Sequence, residues 1–329
     1  MWHLDEIFTD LTVVAIPTRT NFRGVKVREA ALFRGPAGWS EFAPFVEYNE
    51  SESEPWLEAA LESAYKPWPE LKRKTVGINA TLPKVEINRV SEILQRFPGA
   101  KVVKIKVDDF ENDSDLVEAA LDFNPEFKIR LDVNGGWDLK TALLNLYNYN
   151  LRFGNVFEYI EQPCLEIADL TALKKEIPMK IAIDESIRKA LASDFSSAKD
   201  FADVAIIKWA PSGGFTRANN LIARIGLPAV ISSALDTGIG ISHGLALAAS
   251  QSELNFDCGL ATTSLFESDV VKPVHEITAG TIKANRTEPD EEIINKYLAS
   301  PARRIWWQQR IERIWETGFG ERWRHEQFN

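Results

Sequence analysis

Six residues of this chain combine charge and spacing in a way that could support acid–base chemistry at one place. They are Lys104 and Lys106 in KVVKIKV, Asp132 in RLDVNGG, Glu161 in YIEQP, Asp184 in AIDES and Lys208 in AIIKW. Each lies in a short apolar run rich in β-branched residues, which is strand composition. Strand side chains alternate faces, so Lys104 and Lys106 point the same way, with Val102, while Val103, Ile105 and Val107 point the other way. On the wet face of an antiparallel strand two lysines would need no explanation. In a parallel sheet both faces are covered, and an isolated buried charge must be paired, metal-bound or shifted in pKa.

Three converging carboxylates repel one another unless something neutralises them. A hard divalent cation does so: Mg²⁺ takes oxygen ligands in octahedral geometry and leaves positions for substrate and water. The competing reading pairs the acids with the lysines as buried salt bridges, which stabilise weakly and give six charges at one mouth no purpose. With Asp132, Glu161 and Asp184 as ligands, a metal-bound carboxylate substrate would expose its α-carbon to lysines on two sides. The metal would stabilise the enediolate left when the α-proton departs. Desolvation and a nearby positive charge lower a lysine pKa towards the range of a base, and Lys104 beside Lys106 supplies that charge.

The elements that must bring these residues together follow from the pattern around them. From about residue 75, short apolar strands alternate with amphipathic stretches. The strands read as VGINATL, VVKIKV, KIRLDVN, VFEYIEQ, KIAIDES, VAIIKWA, AVISSAL and DCGLAT. Polar positions recur in them at 106, 132, 161, 184, 208 and 232, about one βα unit apart. A period of this size also suits a solenoid. Charges at corresponding strand positions without a shared repeat signature favour a closed parallel TIM-type barrel, with its site at the strand C-termini. Before it, residues 8–34 read as two strands joined by the arginine-rich loop TRTNFRG, followed by GWSEFAPF and the helix ESEPWLEAALESAYKPW. The division expected is an α+β capping domain over 1–90, the barrel over 91–290, and a C-terminal helical extension over 291–329 that returns to the cap or barrel wall. In that extension Trp307, Ile311 and Trp315 share one helical face, which reads as packing rather than chemistry.

A net charge of −10 argues against nucleic acid or anionic membrane as partner. The two cysteines, Cys164 and Cys258, are too far apart for a CxxC motif, so neither a disulfide framework nor a zinc site is expected. The opening MWHLDEIFTD has acids where a secretory leader is basic, and no apolar run reaches membrane-spanning length. The expectation is a cytoplasmic protein acting on a small-molecule carboxylate, its acidic surface fitting monomer and dimer equally well.

KIK, DVN, IEQP, DES and IIKW, in this order, resemble the enolase superfamily in its subgroup with paired lysine bases. The resemblance spans the chain and implies a modified (β/α)7β barrel with an N-terminal α+β cap. IPTRTNFRG, GWSEFAPF, INATLP, KWAPSGG, SSALDTGIGI and DCGLAT resemble one family within it, the o-succinylbenzoate synthases of menaquinone biosynthesis. That resemblance implies Mg²⁺-dependent (or Mn²⁺-dependent) syn dehydration of 2-succinyl-6-hydroxy-2,4-cyclohexadiene-1-carboxylate to o-succinylbenzoate. Lys106 would take the α-proton and later protonate the departing hydroxyl. Lys104 would tune Lys106, and Lys208 would stabilise the intermediate from the opposite face. Asp132, Glu161 and Asp184 would hold the metal, with Asn134 and Glu185 behind them.

For the substrate's succinyl arm, Ser232, Ser233 and the glycines after them, Gly238 included, offer donors before a helix N-terminus. The same small residues also suit a plain tight turn. Thr18, Arg19 and Phe22 lie in the early loop, which in this family closes over the mouth, with Gly24 as hinge; Arg23 reads as a solvated charge. His243, opening an apolar helix, reads as structural, and Asp236 as a turn or cap residue. The nearest alternative is an N-succinylamino acid racemase or dipeptide epimerase, which needs only Lys106 and Lys208. A Schiff-base aldolase barrel and a binding scaffold are more distant, since neither needs three carboxylates.

Overall fold

The computed structural model describes residues 7–22, 24–189, 195 and 197–328. The chain opens with an antiparallel meander of β1 (Thr9–Phe22), β2 (Val25–Gly35) and β3 (Gly38–Phe42). The helix α1 (Glu50–Tyr65) then packs on β3. Its start is fixed by a capping box: Asn49 Oδ1 accepts the Glu52 amide at 3.0 Å, and Glu52 accepts the Asn49 amide at 2.9 Å. β1 does not stop where the sequence suggested. The predicted loop TRTNFRG is mostly strand, because pairing with β2 continues to Phe22 and Thr18 Oγ1 bonds the Val25 carbonyl at 3.0 Å. Gly24, at φ +75°, makes the hairpin turn, a conformation that glycine adopts freely.

A short strand, β4 (Thr75–Gly77), leads into β5 (Ala80–Leu82) and the one-turn helix α2 (Val90–Leu94). The βα units then follow as β6 (Val102–Lys106), α3 (Phe110–Phe123), β7 (Lys128–Asp132), α4 (Leu139–Phe153), β8 (Phe157–Glu161) and α5 (Ile167–Glu176). After them come β9 (Ile181–Ile183), α6 (Glu185–Lys189), α7 (Ala198–Phe201), β10 (Val204–Lys208), α8 (Gly214–Ile225), β11 (Ala229–Ser232) and α9 (Gly238–Ser250). The segment VGINATL splits, since β4 pairs antiparallel with β12 (Thr281–Lys283) while β5 joins β6. The barrel sheet therefore begins before residue 91, inside the stretch expected to be cap.

Strands β5 to β11 form one parallel sheet in sequence order. The eighth segment, DCGLAT, closes the ring through two parallel bridges, Ile78 with Cys258 and Ser232 with Gly259. The modified barrel expected from the sequence is the one found. Outward-facing residues such as Val103, Ile105, Ile129 and Ile207 are fully buried under the helices, within the main core. Inward-facing Tyr159, Ala182, Val204, Ile206 and Val230 form a separate small core that fills the barrel beneath its mouth. Arg130 shares that interior, paired with Glu158 at 2.6 Å and lying 4.7 Å over the Tyr159 ring.

The chain ends in α10 (Glu291–Lys296), α11 (Pro301–Ile314) and α12 (Gly320–Phe328). α11 packs on α1 and β1, so the C-terminal extension returns to the cap. Trp307 is fully buried and donates to Glu29 at 2.7 Å; Arg303 pairs with the same carboxylate at 2.6 Å. Ile311 and Trp315 are buried as well, Trp315 against Phe8 and Trp323.

Candidate active site

The barrel's alternating pattern dictates where the six ionisable residues go. Lys106, Asp132, Glu161 and Lys208 each end their strands, Asp184 follows β9 directly, and β6 sets Lys106 beside Asp132 and β7 sets Asp132 beside Glu161 in register. All of them, with Lys104, line one cavity of about 710 Å³ at the strand C-termini. Ser232, Ser233, Asn134 and Glu185 line it too.

Lys104 Nζ stands 3.0 Å from Asp132 Oδ2 and 3.0 Å from Glu161 Oε1. Lys106 Nζ lies 2.9 Å from the same Asp132 oxygen and donates to Asn134 Oδ1. Lys208 Nζ bonds Asp184 Oδ2. Asn134 has φ +53°, a left-handed conformation that asparagine tolerates; its amide reaches back to Lys106 on one side and Glu185 Oε1, at 3.1 Å, on the other. Gln162, also left-handed at φ +41° and fully buried, accepts the amides of Asp184 at 2.9 Å and Ser186 at 3.1 Å. It locks the ends of β8 and β9 together and so fixes Glu161 and Asp184.

Burial raises the Glu161 carboxyl, and the charges of Asp132 and Asp184 raise it further, to about 7 despite Lys104. Burial pushes Asp132 up as well, but Lys104 and Lys106 hold it well below the usual carboxylate range. Lys104 is held as a cation by its partners. Burial alone would lower its pKa, yet Asp132 and Glu161 outweigh that and raise it well above the ordinary lysine value. Two carboxylates in direct contact thus keep a fixed positive charge beside Lys106.

Among the described residues no three acidic, histidine or cysteine side chains stand close enough to ligate one cation as they lie. The donor chemistry nevertheless fits a hard divalent ion. Asp132 Oδ1 is buried without a hydrogen-bond partner, and Glu161 is strained by two like charges that a cation would relieve. Lysine ammoniums sit where that neutralisation is needed.

Of the residues expected to receive the succinyl arm, Ser232 and Ser233 line the cavity, whereas the start of α9 is filled from within. Thr237 Oγ1 donates to Glu41 of β3, the Thr237 amide lies 3.2 Å from the same carboxylate, and the Gly238 amide donates to Asp269 at 2.7 Å. Gly240 is glycine because a Cβ there would come within 2.4 Å of Glu41 Oε1. Gly238 is thus a packing position outside the cavity lining, and the helix N-terminus is satisfied by the protein's own acids. Burial, with Asp236 nearby, raises Glu41 to about 8.

Thr18 and Arg19 also lie outside the lining: Thr18 bridges to Phe266, and Arg19 donates to the Glu267 carbonyl at 3.2 Å. The Phe22 side chain and Arg23 lie outside the described residues. The cap reaches the cavity by another segment, through Phe45, Tyr48, Pro55 and Trp56. Sequence reasoning misses these and Gln162, although Phe45 ends GWSEFAPF and Gln162 stands in IEQP, because their places depend on contacts between distant segments. His243 is fully buried outside the lining. Trp68 Nε1 donates to its Nδ1 at 3.2 Å, and burial lowers its pKa to about 3. Asp236 accepts the Ala234 amide at 3.2 Å, as a turn residue does.

Comparison with known proteins matches residues 13–64 to the enolase N-terminal domain-like family and residues 89–289 to the enolase C-terminal domain-like family. The o-succinylbenzoate synthase of Mycobacterium tuberculosis is 41% identical over 313 residues, which cover 94% of each chain. That of Mycolicibacterium smegmatis is 42% identical over 312 residues, covering 94% of this chain and 96% of the relative. The chain belongs to the enolase superfamily, in its o-succinylbenzoate synthase family. Among solved structures, muconate lactonizing enzyme from Pseudomonas fluorescens has a TM-score of 0.74 at 17% identity, covering 88% of this chain and 98% of that one. At that identity it speaks for the shared fold of the superfamily alone. No helix among the described residues is long and apolar enough to cross a membrane.

Proposed function

We infer that this chain dehydrates 2-succinyl-6-hydroxy-2,4-cyclohexadiene-1-carboxylate to o-succinylbenzoate, a step of menaquinone biosynthesis. The observation that carries the reading is the meeting of Lys106 and Lys208 with three carboxylates in one cavity, in a chain 41% identical to an o-succinylbenzoate synthase over nearly its whole length.

Asp132, Glu161 and Asp184 would hold Mg²⁺, with Mn²⁺ as substitute. The bound ion would supply a Lewis acid for the substrate carboxylate. Lys106 Nζ takes the proton α to that carboxylate and returns it to the departing hydroxyl, so both transfers occur on one face and the elimination is syn. Lys104 and Lys208 bring positive charge to the carboxylate as negative charge builds on it. Asn134, bonded to Lys106 and Glu185, orients the base. Because the product ring is aromatic, the reaction is strongly downhill and makes modest demands on these groups. The apolar side chains of Phe45, Trp56 and Leu235 suit a carbocyclic substrate.

The test is to supply the cyclohexadiene substrate with Mg²⁺ and follow o-succinylbenzoate formation; no product at any enzyme concentration refutes the reading. A second reading is favoured by the placement of Lys106 on β6 and Lys208 on β10, four strands apart. Two lysines so placed also suit removal of a proton on one face and its return on the other, as in an N-succinylamino acid racemase. Deuterium uptake into an N-succinylamino acid in heavy water tests for it.

A further inference from the structure

Arg28, on β2 of the cap, is only 2% exposed. Its Nε donates to the Leu235 carbonyl at 2.8 Å, and its Nη2 donates to the Ala234 carbonyl at 3.3 Å and to the Ala43 carbonyl. The guanidinium lies 4.8 Å over the Phe45 ring. Ala234, Leu235 and Phe45 all line the cavity. One side chain thus holds a cap segment and a barrel turn that are distant in sequence, and the wall of the site runs across both. The buried guanidinium is satisfied chiefly by those carbonyl oxygens, and its charge in turn pulls down the carboxyls of Glu41 and Asp236, which burial raises.

Leu235 shows why holding is needed. Its φ is +59°, a region that a bulky side chain enters only when its surroundings over-determine it. Its carbonyl is held by Arg28, and the turn is tied on its other side by the Ala234 amide on Asp236 Oδ2 at 3.2 Å.

We propose that Arg28 is a positioning residue for the reaction: by tying the cap segment 43–45 to the barrel turn 234–235 it holds Leu235 left-handed and fixes the apolar wall that receives the substrate's non-reacting part. The proposal rests on the reading of this cavity as the dehydration site. The lysines and carboxylates stand on the strands, outside this clamp, so losing the clamp loosens binding more than it slows the chemical step.

The experiment measures steady-state kinetics of Arg28→Lys and Arg28→Met. Arg28→Lys keeps one cationic donor among the carbonyls and decides the matter if Arg28→Met is insoluble. The expected result is KM raised about tenfold or more in Arg28→Met, an intermediate rise in Arg28→Lys, and kcat within about threefold of wild type in both. Wild-type KM in a folded variant, or a fall in kcat at unchanged KM, overturns the proposal. Binding of o-succinylbenzoate, followed by tryptophan fluorescence, separates the clamp from the function it serves. Wild type that binds without turnover refutes the dehydration reading, and the clamp is then judged by the Kd of the variants. Wild type that neither binds nor turns over also refutes that reading. In that case faster hydrogen exchange of the amides 233–236 in Arg28→Lys supports the clamp, and unchanged exchange overturns it.

Discussion

Lys104 and Lys106 share one carboxylate oxygen: their Nζ atoms lie 3.0 and 2.9 Å from Asp132 Oδ2. Two cations on one buried oxygen, with Glu161 beside Lys104, form a charge cluster that must rearrange when a divalent ion and an anionic substrate enter. The roles proposed for the two lysines fit their partners: Lys104 lies between two carboxylates, whereas Lys106 meets one carboxylate and Asn134.

Lys106→Ala and Lys208→Ala are each expected to lower kcat by about a thousandfold or more, the scale of a lost acid–base group in a reaction that also needs charge neutralisation. Both side chains are partly exposed at the cavity mouth, at 20% and 15%, so urea midpoints should stay near wild type. A variant keeping more than about a tenth of wild-type kcat would contradict the assigned roles.

Removal of divalent metal by EDTA should abolish turnover, with Mg²⁺ or Mn²⁺ restoring it. A ligand that binds only the folded state also raises thermal stability with its concentration. The wild-type Tm should therefore climb with added Mg²⁺, while that of Glu161→Gln stays flat over the same range. Equal climbs in both proteins would remove Glu161 from the ligand set.

Glu62 of α1 accepts the Phe215 amide and, at 3.2 Å, the Thr216 amide, and so caps the barrel helix α8 from the cap domain. Anions at helix N-termini are stabilising, and buried amides left without acceptors are costly. Glu62→Ala should lose about 1–3 kcal/mol of unfolding free energy in urea. A loss within error would mean that water replaces the carboxylate at no cost.

His243 predicts a pH dependence of stability. Burial lowers its pKa from 6.5 to about 3, so the fold holds it neutral while the unfolded chain protonates it near 6.5. Its contribution is whole above pH 6.5 and is lost as pH falls from there towards 3, by at most about 1.4 kcal/mol per pH unit. His243→Gln keeps an acceptor for Trp68 and cannot take up the proton, so its stability should fall less steeply with acid over that window. Parallel slopes for the two proteins would show that His243 does not carry the loss.

The active-site residues are legible from local rules and family resemblance together. KVVKIKV could be read because alternation along a strand places Lys104 and Lys106 on one side whatever the rest of the chain does. The succinyl pocket at Gly238 could not be read correctly, because an apparently open helix N-terminus in sequence is filled by Glu41 and Asp269 from distant segments. The backbone of the early segment is hidden for a related reason: TRTNFRG reads as a loop, but Thr18 to Phe22 find partners in β2 and at Phe266 and are strand. Resemblance to a family named the reaction; it did not show that the described cap meets the cavity through Phe45 to Trp56.

By itself the sequence determined the alternation of apolar strands and helices and the ionisable residues at the strand ends, since both follow from periodicity along a short stretch of chain. The tertiary structure alone decided which cap side chains wall the cavity, which acids fill the helix N-termini, and that two carboxylates hold Lys104 as a cation. Those outcomes depend on distances between segments far apart in the chain, and electrostatic and packing free energies change with such distances in ways no local pattern encodes.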